Sequence, residues 1–417
     1  MAILHPIKAL RPAPDRASRV ASPPYDVVNE EEVRRIVKDN PLSYLRVTRA
    51  ETDLPEGVDP YDRAVYEKAK TNLDELRADG TLIEDETPSV YLYQLERLGR
   101  AQTGIFAAFS VDDYDNDVIL KHEKTRRKKE DDRTNHILTT NAQTGAVFLT
   151  YRAIAEIDEA VERIVSEKPP LYDFVAEDGV AHRLWRVEHG LTQRFVSALG
   201  GAEKLYVADG HHRIASASRA RAARRKENPG HNGSEEYNYL LAALFPADQL
   251  EILPYNRVAR DLGGMSASEF LDRVAEDFDV ASCEEKAPKR HGTICLYLEG
   301  EWRRITLKES QTENGVPKDA KGVGDRLDVA TLQRRVLDPI LGITDPRADE
   351  RIDFVGGVKG TDELERLVDS GDYAVAFSMY PVAVEELMAV SDAGEMMPPK
   401  STWFEPKLRD GLLTHRI

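Results

Sequence analysis

The chain has 417 residues, 41% of them hydrophobic and 31% charged, which is the composition of a soluble globular protein long enough for two or three domains. Its formal net charge of −17 disfavours general nucleic-acid binding, because that binding depends on basic residues that neutralise phosphates. Two cysteines cannot form a disulfide framework, the longest apolar run is too short to cross a membrane, and the N-terminus lacks a secretory signal pattern. We therefore expect a cytoplasmic protein that does not enter a membrane.

The first third of the chain mixes predicted helices with a hairpin. After a short opening strand, the Pro-Pro corner of 21–28 (ASPPYDVV) leads into a helix for which Asn29 is a suitable N-cap. Residues 60–79 repeat apolar side chains at helical spacing, and the β-rich runs on either side of 98–101 (LGRA) predict a hairpin. The polar segment 119–136 is expected to be helical in its second half.

The rest of the chain continues this mixture of helices and strands, and a new series of elements begins at residue 263. The predicted elements are, in order, a strand at 144–151, a helix at 154–167, a hairpin at 175–187, a helix at 191–199, a strand and a helix within 204–225, and buried runs that end at 262. From residue 263 a helix and a hairpin restart the pattern, and a helix at 328–341 and a strand at 373–379 follow a polar loop. We expect a mixed α/β (α+β) protein without a regular parallel Rossmann sheet, divided into the domains 1–262 and 263–417.

The stretch KLYVADGHHR has the residues of an anion site. An alternating strand ends at Asp209, and Gly210 lets a ligand approach the backbone before a helix begins. The N–H groups of a first helical turn favour an anion, and Arg213 adds a bidentate phosphate donor. His211 and His212 add hydrogen-bond donors, or one proton acceptor near neutral pH. The same residues also fit a helix that Asp209 caps, with histidines on its surface, so both interpretations remain open here.

Four motifs resemble those of a known family. The chain is similar to a large uncharacterised bacterial and archaeal family in ASPPYDVV (21–28), KHEKTRRKKEDDR (121–133), DGHHR (209–213) and MPPKSTWFEPK (397–407). The family in turn resembles the ParB/sulfiredoxin-like superfamily, in which a Gly-x-x-Arg turn at a helix start holds nucleotide phosphates, and it is related to the free serine kinases. The resemblance implies a ParB-like nucleotide-binding catalytic region that uses ATP or ADP, with an added C-terminal domain.

The resemblance also gives the charged segment 121–133 a role. The candidate nucleotide-binding residues are Asp209, Gly210, His211, His212, Arg213, His122, Arg126 and Lys129. Glu123 is an acid/base or Mg²⁺-binding candidate, Asp209 is the other candidate Mg²⁺ ligand, and His211 is a catalytic candidate. The segment is not a zinc-protease signature, because Arg126 stands where the second histidine would be. Without the resemblance, a solvated charged helix explains the segment.

Asp26 is the candidate general base. It follows Pro23 and Pro24, and this stiff corner can aim a side chain, since proline fixes φ and cannot donate a hydrogen bond. Phosphoryl transfer to a hydroxyl needs a carboxylate that accepts the hydroxyl proton. Glu123 is the second candidate, and a turn in which Asp26 merely caps the next helix explains the position equally well.

Two further segments fit either a site or the core. The tail 397–407 either folds back to complete the site or simply packs. Arg257 in PYNRV, and His182 with Arg183 in HRLW, are weaker candidates that the ends of core strands explain better.

Together these features favour a small-molecule kinase. It would transfer a phosphoryl group from ATP or ADP to a metabolite hydroxyl, with free L-serine as the first candidate acceptor and Mg²⁺ as the metal. The alternative is a ParB-like nucleotide-binding switch or interaction protein, which would need no acceptor. Neither a membrane nor a nucleic acid is an expected partner, and the sequence leaves open whether the chain forms a homo-oligomer.

Overall fold

The computed structural model describes residues 2–417, which fold into two compact units of mixed α/β structure. The first unit runs to Lys121 and continues over Thr125–Leu250 and Pro406–Ile417. The second unit contains His122–Lys124 and Glu251–Glu405. The expected mixed α/β class is confirmed.

The division between the units differs from the predicted boundary at 262. The strand Tyr255–Ala259 pairs antiparallel with Ile352–Gly356 and with Val375–Ser378, which lie far along the chain in the second unit. Strand pairing over such sequence separations leaves no local signal, because only the fold brings the partners together. The last twelve residues, Pro406–Ile417, likewise belong to the first unit.

Nine of the thirteen α-helices in the described part of the chain lie in the first unit. They are α1 (Ala17–Val20), α2 (Glu30–Asp39), α3 (Leu45–Thr48), α4 (Arg63–Ala78), α5 (Val111–Asp115), α6 (Arg127–Thr140), α7 (Ala155–Glu167), α8 (His189–Leu199) and α9 (His211–Glu227). The expected cap of α2 is confirmed, since Asn29 accepts the Glu32 N–H at 2.9 Å and Glu32 accepts the Asn29 N–H at 2.8 Å.

A nine-stranded mixed sheet forms the centre of the first unit. The strands of the unit are β1 (Leu4–His5), β2 (Leu10–Pro12), β3 (Leu82–Glu84), β4 (Tyr91–Arg97), β5 (Arg100–Ser110), β6 (Ile119–Leu120), β7 (Ala142–Gln143), β8 (Val147–Tyr151), β9 (Tyr172–Val175), β10 (Ala181–Arg186), β11 (Leu205–Asp209) and β12 (Tyr239–Pro246), with a last short strand at His415–Arg416. The order is β6-β11-β8-β12-β5-β4-β10-β9, with β1 on β5. Both predicted hairpins are confirmed, as β4 pairs with β5 and β9 pairs with β10 in antiparallel register.

Apolar side chains of the sheet and of four helices form the main core of the first unit. Ile157 of α7, Phe195 of α8 and Ile214 of α9 pack with the sheet residues Leu149 and Val207, and all five are almost fully buried. This packing holds β8, β11 and the start of α9 rigidly, which matters because the candidate site lies at the junction of β11 and α9.

The second unit is built on a six-stranded antiparallel sheet of order β15-β17-β16-β21-β14-β20. Its strands are β13 (Ile252–Leu253), β14 (Tyr255–Ala259), β15 (Phe278–Ser282), β16 (Thr293–Leu298), β17 (Glu301–Leu307), β18 (Thr312–Glu313), β19 (Val316–Pro317), β20 (Ile352–Gly356), β21 (Val375–Ser378) and β22 (Trp403–Phe404), and its helices are α10 (Ala267–Asp277), α11 (Asp328–Leu332), α12 (Asp362–Asp369) and α13 (Val384–Asp392). The helix predicted at 328–341 ends earlier, because α11 passes into a π-helical stretch at Gln333–Leu337. Across residues 2–417, the helices are either too short or too polar to span a membrane.

Candidate functional site

The predicted strand–glycine–helix junction is present in the first unit. β11 ends at Asp209, Gly210 adopts φ +96°, and α9 begins at His211. A left-handed backbone at this position suits glycine, because any side chain there meets the backbone of its own residue. A Cβ at Gly210 would also lie 3.5 Å from Val147 Cα in the neighbouring strand. The junction is therefore a tight turn that requires glycine.

Gly210→Ala is expected to destabilise the protein by about 1–2 kcal/mol, the cost of a left-handed conformation for a residue with a Cβ. Gly190→Ala is the matched control, since Gly190 lies in α8 and a Cβ there has no neighbour within 4 Å. Urea unfolding followed by circular dichroism measures both changes. Equal stabilities of the two variants would show that the turn at Gly210 tolerates a side chain.

Asp209 does not cap α9, contrary to the alternative considered from the sequence. Its Oδ1 atom accepts the N–H of Gly210 at 2.8 Å, and its Oδ2 atom accepts a hydrogen bond from Lys407 Nζ at 2.7 Å. The N-cap position belongs to Gly210, which has no side chain to donate or accept. Asp209 therefore fastens the C-terminal segment of the chain to the end of β11.

Arg213 points into the protein, not outward toward a ligand. Its side chain is only 7% exposed, Nη1 donates to the Ala146 carbonyl at 2.7 Å, and Nη2 donates to Asp26 Oδ1 at 3.0 Å. Burial opposes the charge, but the nearby carboxylates, Asp26 foremost, outweigh it and raise the pKa of Arg213. The first turn of α9 is therefore tied to the corner that carries Asp26.

Asp26 lies at the surface end of this ion pair. Its side chain is 44% exposed, so a carboxylate held by Arg213 also meets solvent. It is not a helix cap, because Asn29 takes that role for α2. The preceding residue, Tyr25, is buried, and the guanidinium groups of Arg133 and Arg213 lie 4.3 Å and 5.5 Å from the centre of its ring. The Tyr25 ring, which contacts both guanidinium groups, therefore holds the corner that carries Asp26 in place.

Helix α6 supplies the second of these cations. Arg133 Nε donates to Asp132 at 2.8 Å, and Tyr66 donates to the other Asp132 oxygen at 3.1 Å. One turn further along, His136 Nε2 lies 3.0 Å from the Val47 carbonyl. Burial, assisted by the charge of Arg133, lowers the pKa of His136 to about 4, so this histidine is neutral and donates to the carbonyl. Arg133 is the last residue of the charged segment 121–133. Only the fold shows that it lies beside Tyr25.

Asp410 is the main residue of the site that the sequence did not reveal. It comes from the C-terminal segment, is 2% exposed, and its Oδ1 would lie 3.2 Å from a Cβ added at Gly145. Burial raises the pKa of Asp410 to about 7, with the Arg213 guanidinium opposing and the Asp26 carboxylate adding to the effect. A weak signal existed: Asp410 is followed by Gly411, which repeats the Asp-Gly pair of Asp209 and Gly210.

A small cavity of about 30 Å³ lies between these residues. It is lined by Tyr25, Thr48, Arg133, His136, Ile137, Gln143, Thr144, Gly145, Val147, Arg213 and Asp410. Three buried polar atoms of these lining residues, Thr48 Oγ1, Arg213 Nε and Asp410 Oδ2, have no hydrogen-bond partner in the part of the chain that the structure describes. Its volume suits a group of the size of one water molecule and is far too small for a nucleotide, so any nucleotide must bind outside it.

The raised pKa of Asp410 predicts a pH-dependent stability that Asp410→Asn removes. An unfolded aspartate has a pKa of about 3.9, whereas folded Asp410 titrates at about 7, so the folded state binds the proton more tightly. Stability from this group is complete at low pH and is lost as the pH rises to about 7. Urea midpoints measured at intervals from about pH 4.5 to 8 should therefore shift in favour of the variant as the pH rises. A constant difference between the two proteins would contradict the raised pKa.

The other predicted residues fall into three places. His211 is buried in the first turn of α9, and His212 Nε2 accepts the backbone N–H of Arg126 at 3.0 Å. The side chains of Arg126 and Lys129 are exposed, and the Lys129 ammonium lies 5.5 Å from the ring centre of Tyr61. His122 and Glu123 belong to the second unit, where the His122 carbonyl accepts the Met397 N–H at 2.8 Å. Within the first unit, Asp26 contacts Arg213, which belongs to the turn that also contains Asp209 and Gly210.

The two predicted Mg²⁺ ligands do not form a metal site. Both carboxylate oxygens of Asp209 are engaged, by Gly210 and by Lys407, and Glu123 belongs to the other unit. Throughout residues 2–417 we find no group of three or more His, Cys, Asp or Glu side chains arranged to hold a metal ion. The arrangement of these side chains does not fit a Mg²⁺ ion held by the protein.

Comparisons with solved structures find partial similarities to several chains. A conserved hypothetical protein from Pyrococcus furiosus has 13% identity and a TM-score of 0.37, with 74% of this chain and 94% of that one covered. Free serine kinase in complex with AMP has 12% identity and a TM-score of 0.38, with coverages of 74% and 91%. SbnI with C-terminal truncation from Staphylococcus aureus has 11% identity and a TM-score of 0.39, with coverages of 74% and 87%.

A search of curated proteins found no match. A family model described as "Protein of unknown function (DUF1015)" matches residues 4–330, which is more than half of the chain. The matched range includes the Asp26 corner, the charged segment and the Asp209–Arg213 turn. The chain therefore belongs to this family.

Proposed function

We propose that the chain is a phosphotransferase that moves a phosphoryl group from a nucleotide to the hydroxyl of a small metabolite, with free L-serine as the first candidate acceptor. One observation carries the proposal: Arg213, in the first turn after Gly210, donates to the half-exposed carboxylate of Asp26 at 3.0 Å. The turn that the motif resemblance associates with nucleotide phosphates and the carboxylate expected to act as base are therefore in direct contact.

The chemistry assigns separate roles to these groups. The carboxylate of Asp26 accepts the proton of the acceptor hydroxyl while the hydroxyl oxygen forms a bond to the terminal phosphorus. The bond from that phosphorus to its bridging oxygen breaks, and ATP leaves as ADP or ADP leaves as AMP. The N–H groups at the start of a 17-residue helix and its dipole favour the anionic phosphates there.

Arg213 acts in this scheme as a positioning residue. Because its guanidinium is buried and bonded to Ala146 and Asp26, it aims the carboxylate and does not serve as the outward phosphate donor expected from the motif. The nearby carboxylates, Asp26 first and Asp410 second, favour the charged form of this guanidinium. The Asp26 carboxylate is therefore held at the surface in a fixed orientation.

A product screen tests the proposal. The purified chain is incubated with ATP or ADP, a divalent cation and a panel of hydroxylated metabolites that includes L-serine, and phosphorylated products are detected by mass spectrometry. We expect a phosphorylated acceptor whose formation requires both substrates. Nucleotide binding without any acceptor-dependent product would favour the nucleotide-binding switch, and the absence of both would reject the two hypotheses together.

A further inference from the structure

The second unit contains a buried arginine that lacks an acidic partner. The arginines with the least exposed side chains in the described chain are Arg11, Arg213, Arg221, Arg257 and Arg409. Four of them form ion pairs with aspartates: Arg11 with Asp85, Arg213 with Asp26, Arg221 with Asp112 and Asp115, and Arg409 with Asp178. Arg257 is the most buried of the five, at 3% exposure, and among residues 2–417 no carboxylate pairs with it.

The surroundings of Arg257 are apolar and aromatic. It lies in β14, directly opposite Phe354 of β20 and Phe377 of β21. Its guanidinium carbon is 5.6 Å from the ring centre of Phe354, and its Nη1 atom donates to the carbonyl of Tyr255. The Asp353 carboxylate of the neighbouring strand β20 is engaged by Tyr373 and by the Phe354 N–H. Within residues 2–417, the Tyr255 carbonyl is thus the only hydrogen-bond acceptor found for a side chain that has five N–H groups.

A buried charge without a counter-charge is costly. The free-energy cost of removing an arginine from water is offset only when an anion and further hydrogen bonds accompany the charge. Here burial lowers the pKa of Arg257 to about 10, with only the Tyr255 hydroxyl opposing. At neutral pH the side chain is still a cation, so the chain carries this cost within its own structure. Such a cost is typical of residues kept for binding.

The unused donors of Arg257 are not sealed inside the protein. Some polar atoms of the described residues, such as Arg213 Nε, are fully buried and have no hydrogen-bond partner. None of the Arg257 nitrogen atoms is in this group. Its remaining N–H groups therefore retain contact with solvent through the small exposed fraction of the side chain.

We propose that Arg257 binds an oxyanion, the phosphate or carboxylate group of a small molecule, within the second unit. A guanidinium presents two parallel N–H groups that match the two oxygens of such a group, and in apolar surroundings this pairing is strong. The inference concerns a different unit from the proposed phosphotransferase site and does not rest on it. It gives a function to the PYNRV segment, which the sequence alone assigned to the core.

Thermal unfolding in matched salts tests the site without knowledge of the natural ligand. Sodium phosphate, sodium acetate and sodium chloride are compared at equal ionic strength and pH, so that phosphate and carboxylate are separate arms. We expect phosphate or acetate to raise the melting temperature of the wild-type chain by about 2–4 °C relative to chloride at saturating concentrations. The arm with the larger rise identifies the preferred oxyanion.

Arg257→Met distinguishes a binding role from a structural one. The variant removes an unpaired buried charge and keeps an apolar side chain of similar length, so in chloride it should melt at the wild-type temperature or higher, and it should lose the oxyanion-specific rise. Arg260→Met is the matched control: Arg260 lies just beyond β14, is exposed, and contacts Tyr373 and the Glu350 carbonyl. This control should keep the full rise.

Arg257→Lys provides a second variant that retains the charge but not the paired N–H groups, and it should lose most of the rise. The proposal is overturned if Arg257→Met keeps the wild-type rise, or if wild type shows no rise in either oxyanion. It is also overturned if Arg257→Met melts several degrees lower in chloride, because Arg257 would then be a structural residue. Loss of the rise in these variants with unchanged nucleotide binding would separate this site from the one in the first unit.

Discussion

Arg213→Ala is expected to lower the free energy of unfolding by about 2–4 kcal/mol, one of the largest single-residue effects in the first unit. The guanidinium is 7% exposed and bonds both the Ala146 carbonyl and Asp26. Its removal leaves a buried carbonyl without a partner and leaves Asp410 without the cation that favours its charged form. Equilibrium urea unfolding measures the loss, with circular dichroism and tryptophan fluorescence as independent probes.

The loss should also depend on pH. Without Arg213, the carboxylates of Asp26 and Asp410 repel each other when both are ionised, and protonation of Asp410 relieves this repulsion. The effect of Arg213→Ala should therefore be larger at about pH 8 than at about pH 5.

Arg219→Ala is the matched control for a half-exposed ion pair. Arg219 lies on the same helix and pairs with Glu130 and Asp131 while its own side chain is 31% exposed. Pairs of this kind contribute at most about 1 kcal/mol. Equal losses in the two variants would show that the burial of Arg213 has no energetic consequence.

Asp26→Asn is expected to reduce kcat of the proposed phosphotransferase by about 10²–10⁴-fold, the usual contribution of a positioned general base. The amide oxygen still accepts a hydrogen bond from Arg213, so the corner and the fold should persist. Nucleotide affinity should change little, because the base contacts the acceptor hydroxyl and not the phosphates. Steady-state kinetics and calorimetric nucleotide titration measure the two quantities separately.

Two comparisons make this result decisive. Asn29→Ala removes the cap of the adjacent helix, at a cost of about 1 kcal/mol, but keeps the Asp26 carboxylate, so its turnover should stay near normal. Glu123→Gln tests the second candidate base. A folded Asp26→Asn enzyme with near-normal turnover would remove Asp26 from the mechanism, and a loss confined to Glu123→Gln would assign the base to Glu123.

Local patterns predicted local structure correctly. The helix cap at Asn29, the two hairpins, and the strand–glycine–helix junction at Gly210 depend on residues within a few positions of each other. In each case the hydrogen bonds close over a short loop, so side-chain type and spacing carry the information. The motif resemblance placed Asp26 and the Asp209–Arg213 turn in one site, and their joint role stays a prediction.

Contacts between residues far apart in the sequence determined the remaining features of the fold and of the candidate site. The burial of Arg213, its contact with Asp26 across 187 positions, and the Lys407–Asp209 contact across 198 positions depend on how the chain folds. Asp410 enters the site by the same route, and β14 joins the second unit because its strand partners lie about a hundred positions away. The sequence by itself determined the elements, the motifs and the candidate base, since these follow from short-range periodicity and turn chemistry. Only the tertiary structure decided which charges are buried, which carboxylate each cation meets and which unit each strand joins, because burial and electrostatics depend on distances in space that the order of residues does not contain.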